Sequence, residues 1–104
     1  MNRDKKMIRH IILIKFNTTA SKNEIDKLKQ SFESMPTRIE GVRSVEWGLN
    51  DSTEGKNKNY THGVLMNFVD ARVRNNYLSH PEHDELKKIL IPILDDLIVF
   101  DYTF

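Results

Sequence analysis

The sequence contains no cysteine among its 104 residues. This absence excludes disulfide bonds, thiolate metal sites and cysteine nucleophiles, and it is compatible with a reducing compartment. An excess of charge of one sign is also missing, because 16 basic and 15 acidic residues leave a formal net charge of +1. A chain without a strongly basic surface is not expected to bind nucleic acid.

Long hydrophobic runs are absent as well. The first apolar run, residues 8–16, is interrupted by Arg9, His10 and Lys15 and is far shorter than the roughly 20 residues of a membrane span. No small-residue cleavage site of a secretory signal follows it. We therefore expect a cytoplasmic protein without a membrane partner, in which residues 1–6 form a flexible N-terminus and residues 7–104 form one folded domain.

Four segments are predicted to be β-strands because they are rich in β-branched and aromatic residues or alternate in polarity. They are residues 8–16, 42–50, 60–68 and 97–104. A polar loop with one glycine, residues 51–59, lies between the second and third segments and indicates a hairpin. The first and last segments are apolar on both faces, which is unlike a strand with one face in water.

Helical regions separate these strands. The first begins at the capping box Ser21-Lys-Asn-Glu24, in which the serine and glutamate side chains satisfy backbone amides at a helix start. Apolar residues then recur at helical spacing, at Ile25, Leu28, Phe32 and Met35. The second region is predicted in two pieces: a short helix capped by Asp70, and a helix that starts at Pro81 and kinks or ends at Pro92.

The order strand, helix, strand, strand, helix, strand predicts an α+β fold of the ferredoxin-like βαββαβ type, with a four-stranded antiparallel sheet and helices on one face. The other face of the sheet is not covered by helices, and its first and last strands are apolar there. A second copy of the chain is the simplest cover, because two-fold homodimers are the commonest oligomers. Two such sheets facing each other would form an α/β barrel. The alternative is a monomer whose own loops protect that face.

Several segments resemble the stress-responsive dimeric α/β-barrel (A/B-barrel, Dabb) family. They are Ile8-Arg-His-Ile-Ile-Leu-Ile-Lys-Phe16, Val45-Glu-Trp-Gly48, Tyr60-Thr-His-Gly-Val64, Tyr77-Leu-Ser-His-Pro-Glu-His83 and Val99-Phe-Asp-Tyr102. The likeness spans nearly the whole chain and, within the family, points to olivetolic acid cyclase-like members, which close a linear polyketide by intramolecular aldol condensation. It implies the fold and the homodimer. It does not fix the reaction, because one fold hosts unrelated functions.

The same resemblance implies site residues position by position. Tyr77 and His83 match the tyrosine and histidine that carry the chemistry in the cyclases, and His10 and His62 match histidines of the substrate pocket. Phe32 stands where the cyclases carry a pocket tyrosine, so the cavity here lacks a hydroxyl and is more apolar. A different ligand is implied, or none. No cofactor is implied.

The residue types agree with proton chemistry. His83 follows Tyr77 by six residues across a Ser-His-Pro break that could turn the two side chains toward each other. Because imidazole titrates near neutral pH, His83 could remove an acidic proton from a carbon between two carbonyls while the Tyr77 hydroxyl orients a carbonyl. The alternative is structural: His83 shields a helix start, Tyr77 is a core residue, and His10 and His62 are core imidazoles with hydrogen-bond partners.

Two further clusters of polar residues receive simpler interpretations. His80 and His83 have a spacing that could suggest a metal, but the additional ligands that zinc requires are not evident, so no metal is predicted. The basic cluster at residues 72–74 is predicted to be a solvated helix face.

Three functions therefore stay open from the sequence. The first is a homodimer with a small apolar pocket that binds a carbonyl-bearing or aromatic molecule and carries out cofactor-independent cyclase- or lyase-type proton chemistry. The second is a non-enzymatic stress-response homodimer with structural histidines. The third is a cofactor-free monooxygenase-like member of the same fold. Whether the protein is an enzyme is thus left open at this point.

Overall fold

The computed structural model describes residues 6–104. The flexible N-terminus expected at residues 1–6 therefore lies outside the described residues except for Lys6, which is exposed.

Four strands and four helices make up the described chain. The strands are β1 (Ile8–Phe16), β2 (Val42–Leu49), β3 (His62–Phe68) and β4 (Leu94–Thr103). The helices are α1 (Lys22–Glu33), α2 (Met35–Arg38), α3 (Ala71–Leu78) and α4 (Pro81–Leu90), and a 3₁₀ turn (Ile91–Ile93) leads into the last strand. The sheet is antiparallel with the spatial order β2-β3-β1-β4. The predicted α+β, ferredoxin-like βαββαβ fold is confirmed.

Side-chain caps set the helix starts. Ser21 accepts a hydrogen bond from the Glu24 amide, and the Glu24 carboxylate accepts one from the Ser21 amide, which is the predicted capping box. The Asp70 carboxylate caps α3 as predicted. His80 caps α4 through its Nδ1 atom, and Pro81 follows at the first helical position, where a missing amide hydrogen does no harm.

The last strand begins earlier than predicted. It starts at Leu94 instead of residue 97, because the 3₁₀ turn that contains Pro92 ends at Ile93 and leaves no room for a loop. Asp95 and Asp96 are polar enough to look like loop residues, yet both are exposed on an edge strand, where acidic side chains reach water without leaving the sheet. The third strand begins at His62, two residues after its predicted start.

The hydrophobic core lies between the helices and one face of the sheet. In β1 this alternation is clear: Ile12 and Ile14 are buried, whereas Leu13 between them is 38% exposed. Aromatic and aliphatic residues of the helices complete the core, among them Leu28, Phe32, Met35, Tyr77, Leu86 and Leu90. Burial of this apolar surface is the main favourable contribution to folding.

The opposite face of the sheet is apolar and exposed. β4 pairs with β1 so that Phe100 lies opposite Ile11 and Ile98 lies opposite Leu13. Phe100 is 61% exposed and Ile98 is 40% exposed. Tyr102 continues the same face. The sequence prediction that both faces of β1 and β4 are apolar therefore holds, and an exposed patch of this kind indicates an interaction surface.

Candidate functional site

A cavity of about 310 Å³ lies between α4, α1 and the half of the sheet formed by β1 and β4. Its wall is mostly apolar, with Phe32, Leu86 and Val99 among its residues. His10 and His83 supply imidazole rings to the same wall. A mainly apolar cavity with a few polar groups, in a volume range of roughly 300–1,000 Å³, is typical of small-molecule sites.

His83 is placed by the first turn of α4. Its ring packs edge to face against the ring of Tyr77, with 4.7 Å between the centroids. Burial and the Lys87 ammonium lower the pKa of His83, against smaller opposing effects of a hydrogen bond to the Leu78 backbone and of the Asp84 carboxylate. The imidazole is therefore held neutral at neutral pH. Its Nδ1 atom is buried and has no hydrogen-bond partner among residues 6–104.

Tyr77 lies on α3 and is fully buried. Its ring packs against Phe68, with 5.3 Å between the centroids, and does not itself form the cavity wall. Burial raises the pKa of the Tyr77 hydroxyl well above its ordinary value, so the hydroxyl stays protonated and able to donate. No described protein group bonds this hydroxyl oxygen. Because buried polar atoms are nearly always hydrogen-bonded, both Tyr77 and His83 require a partner such as water or a ligand.

His10 lies on β1 and is only 4% exposed. Its Nδ1 atom is 2.7 Å from Oδ1 of Asp101, the residue directly opposite on β4. The second carboxylate oxygen, Oδ2, accepts a hydrogen bond of 2.9 Å from Arg74. The expectation of a solvated basic face therefore holds for Arg72, which is exposed, and not for Arg74.

His62 lies elsewhere. At the start of β3, its ring is 5.0 Å from the ring of Phe16 and 5.4 Å from that of Trp47, and its Nδ1 atom is 2.7 Å from the Thr61 hydroxyl. Burial lowers its pKa. It lines a second cavity of about 490 Å³ beside the loop between β2 and β3. The structure thus brings together His10 and His83 with Tyr77 beside them, but it does not bring His62 to this group.

Phe32 contributes to the cavity as an apolar wall. Its ring is fully buried on α1 and is 6.2 Å from the ring of Trp47. No hydroxyl is present at this point of the wall, so a ligand meets a hydrocarbon surface there.

No group of three or more histidine, aspartate or glutamate residues that could hold a metal occurs within residues 6–104. His80 is used as the helix cap described above. In the same range, no helix is both long enough and apolar enough to cross a membrane.

Asp101 and Arg74 belong to the hydrogen-bonded group around His10, and sequence reasoning missed both contacts. A signal for Asp101 exists: it is the one carboxylate in the apolar segment Val99-Phe-Asp-Tyr102. Alternation along β4 places Asp101 on the same face as Val99, toward the helices. A lone acid on the inner face of a strand needs a partner, and it finds two.

The comparisons with known proteins agree with this architecture. The family model described as "Stress responsive A/B Barrel Domain" matches residues 8–104. The "Stress-response A/B barrel domain-containing protein HS1" of Arabidopsis thaliana is 28% identical over 102 residues, which covers 98% of this chain and 94% of that protein.

Among solved structures, the hydroxynitrile lyase from Passiflora edulis has a TM-score of 0.88 at 19% identity, with 96% of this chain and 94% of that chain covered. A dimeric ferredoxin-like protein of unknown function from Thermobifida fusca has a TM-score of 0.81 at 21% identity, with 96% and 92% covered. These two likenesses show the fold. Because the family model spans almost the whole chain, the protein belongs to the stress responsive A/B barrel domain family.

Proposed function

We propose that this protein is a homodimer whose cavity binds a mainly apolar, carbonyl-bearing small molecule and catalyses cofactor-independent proton transfer of the cyclase or lyase type. His83 is the base, Tyr77 orients the carbonyl, and His10 and Phe32 bind the substrate. The observation that supports this most directly is the pair of buried, unpartnered polar atoms, Tyr77 Oη and His83 Nδ1, because His83 lines the apolar cavity and the ring of Tyr77 packs against that of His83.

The chemistry follows from the protonation states. His83, held neutral by burial, takes a proton from a carbon adjacent to a carbonyl, and the electron pair moves onto the carbonyl oxygen. The Tyr77 hydroxyl, kept protonated by burial, donates a hydrogen bond to that oxygen as its negative charge develops. In a cyclase-type reaction the resulting enolate attacks a second carbonyl of the same molecule, and the imidazolium of His83 returns its proton to the new alkoxide.

Relatives support the reaction class. A protein with this fold is named a hydroxynitrile lyase, so the fold can house a lyase. The cyclase-like resemblance of the Tyr77 to His83 segment indicates the same kind of proton chemistry. Phe32 restricts the choice of substrate, because it offers no hydroxyl to a polar group of the ligand.

The homodimer is supported by the exposed apolar face of the sheet, on which Phe100 and Ile98 are uncovered. Structures of the same fold are described as dimeric. A two-fold partner that brings an identical face would bury these side chains and close the α/β barrel.

A non-enzymatic homodimer is the second candidate, and one observation favours it. His10 and His62 each have a hydrogen-bond partner, Asp101 and Thr61, as structural histidines do. The Tyr77 hydroxyl and Nδ1 of His83 do not share this property among residues 6–104. The two candidates therefore differ in what they require of Tyr77 and His83 alone.

The test uses a β-keto ester with a short alkyl tail, ethyl 3-oxohexanoate. NMR in D₂O follows exchange of the protons between its two carbonyls. We expect the protein to accelerate exchange at least about tenfold over the same concentration of free imidazole, since general bases in proteins contribute about 10²–10⁴-fold. The acceleration should disappear in His83→Ala.

The matched control is His80→Ala, which removes the helix cap from outside the cavity and should keep the acceleration. Exchange that is equally fast with wild type, His83→Ala and free imidazole would refute the enzymatic proposal and favour the structural candidate.

A further inference from the structure

Three hydrogen-bonded side chains, those of His10, Asp101 and Arg74, determine which ring nitrogen of His10 carries the proton. His10 and Asp101 are directly opposite each other on neighbouring strands, so their side chains meet on the inner face of the sheet. Nδ1 of His10 lies 2.7 Å from Oδ1 of Asp101, and Oδ2 accepts from Arg74 at 2.9 Å. None of these three residues is more than partly exposed.

The donors and acceptors of these three side chains permit only one neutral tautomer of His10. An arginine side chain only donates, and an ionised carboxylate only accepts. Asp101 therefore accepts on both oxygens, and the proton between it and His10 sits on Nδ1. In neutral His10 this leaves Nε2 with a bare lone pair. No described protein group bonds Nε2, although His10 is 4% exposed and lines the cavity.

We propose that His10 is a fixed hydrogen-bond acceptor in the cavity, and that the ligand therefore carries a hydroxyl donor, phenolic or enolic, opposite Nε2. Asp101 and Arg74 are positioning residues that act through His10. This inference rests on the proposed function only in assuming that the cavity binds a ligand. It narrows the ligand class, because a molecule whose only polar groups are carbonyl oxygens would place an acceptor against Nε2, which is itself an acceptor.

The variant Asp101→Asn tests the tautomer. An amide has one accepting and one donating end, and Arg74 can bond only the accepting oxygen. The amide NH₂ then faces His10 and donates to Nδ1, which requires His10 to carry its proton on Nε2 instead. A carboxylate-to-amide change next to a histidine is known to reverse a tautomer in this way.

Long-range ¹H–¹⁵N correlation spectra of histidine-labelled protein, recorded above the usual pKa of histidine, read the tautomer directly. We expect the His10 Nε2 signal, assigned with His10→Gln, to be that of an unprotonated nitrogen in wild type and of a protonated one in Asp101→Asn. Asp95→Asn, an exposed position on the same strand, should leave it unchanged. A protonated Nε2 in wild type would overturn the proposal.

A double variant separates positioning from simple loss of structure. With Arg74→Ala added to Asp101→Asn, the amide is free to turn its oxygen toward His10, and the original tautomer should return. A variant that had merely lost its fold would not be rescued by a second deletion. Failure of the double variant to restore the unprotonated Nε2 would show that Arg74 does not orient the side chain at position 101.

Binding of phenol and anisole tests the ligand class, because the two differ in the hydroxyl hydrogen. We expect wild type to bind phenol about tenfold more tightly, as one hydrogen bond supplies up to roughly that factor. Asp101→Asn should reduce the preference to about twofold or less, and the double variant should restore it. Equal binding of both probes to wild type would overturn this inference alone. Binding of neither would overturn both this inference and the ligand cavity of the proposed function.

Discussion

The ring of Tyr77 lies 4.7 Å from the ring of His83, edge to face, although the two residues are six positions apart in the chain. The distance is short because α3 ends at Leu78 and α4 begins at Pro81. The Ser-His-Pro break separates the two helices, as the sequence predicts. The pair is therefore a product of the turn, and the chemistry that depends on it can be tested separately from the rest of the cavity.

Tyr77→Phe should separate stability from function. The hydroxyl has no partner among residues 6–104, so its removal should change the free energy of unfolding by less than about 1 kcal/mol or increase it. Acceleration of proton exchange in ethyl 3-oxohexanoate should fall at the same time. Urea denaturation measures the first effect and NMR the second.

The matched control is Tyr60→Phe. It removes a hydroxyl that does have a partner, the exposed carboxylate of Asp96 on β4. It should lower stability slightly and leave exchange unchanged. If Tyr77→Phe instead lost more than about 2 kcal/mol, the hydroxyl would have an internal partner and a structural role.

Stability should decrease as the pH falls below neutrality. Burial lowers the pKa of both His62 and His83 in the folded protein. In the unfolded chain histidine has a pKa of about 6.5, so below that pH the unfolded state binds more protons than the folded state, and the free energy of unfolding falls. The loss levels off once the lowered pKa values have been passed.

Urea midpoints measured at a series of pH values check this sign. His83→Gln should make the decrease below pH 6.5 shallower, and adding His62→Gln should flatten it further. A slope unchanged in the double variant would mean that neither imidazole is responsible.

Phe100→Asp should separate the proposed dimer into monomers. Phe100 is 61% exposed on the open face of the sheet, where a two-fold partner would cover it. A charge buried there without a partner opposes association strongly. Sedimentation velocity at micromolar concentration should show a dimer for wild type and a monomer for the variant.

Ile91→Asp is the control for Phe100→Asp. Ile91 is 63% exposed, but it lies in the 3₁₀ turn after α4 and lines the cavity on the helix side of the sheet, away from the open face. It should remain a dimer. Sedimentation of the wild type as a monomer would contradict the proposed assembly.

Gly41→Ala should be strongly destabilising. Gly41 has a φ of 94°, which side chains rarely adopt, and an added Cβ would lie 2.6 Å from Cγ2 of Val73 on α3. The left-handed backbone costs about 1–2 kcal/mol and the overpacking about 1–3 kcal/mol more. Gly55 has a φ of 70° but open space around it, so Gly55→Ala should show only the backbone cost.

Thermal and urea denaturation of the two glycine variants compare these costs. Adding Val73→Ala should recover part of the loss in Gly41→Ala and none of it in Gly55→Ala. Equal losses in the two single variants would show that contact with Val73 contributes nothing.

Local patterns explain why most of the fold could be predicted from the sequence. The capping box at Ser21 and the proline at Pro81 each determine a helix start through bonds within a few residues, and both starts are found where predicted. The start of β4 depends instead on where the turn around Pro92 docks against the end of β1, which no local pattern records. The sequence pattern consequently predicts the start of β4 three residues too late, at residue 97 instead of Leu94.

The site was only partly predictable, because it depends on strand register. His10 and His62 share a face, as their alternation indicates, but His62 pairs with Ile14, four residues along β1 from His10. Four residues of strand span about 13 Å, which is too far for both rings to meet one small ligand. The pairing of Asp101 with His10 likewise arises only when β4 docks beside β1, and neither segment carries that information alone.

The two faces of β4 serve different surfaces. Val99 and Asp101 form part of the cavity wall, while Phe100 between them lies on the open face. β4 is also an edge strand, held in the described chain by β1 alone. Separation of the proposed dimer would therefore loosen the strand that shapes the proposed ligand site, so dilution below the dissociation constant of that dimer should weaken ligand affinity without any change in sequence.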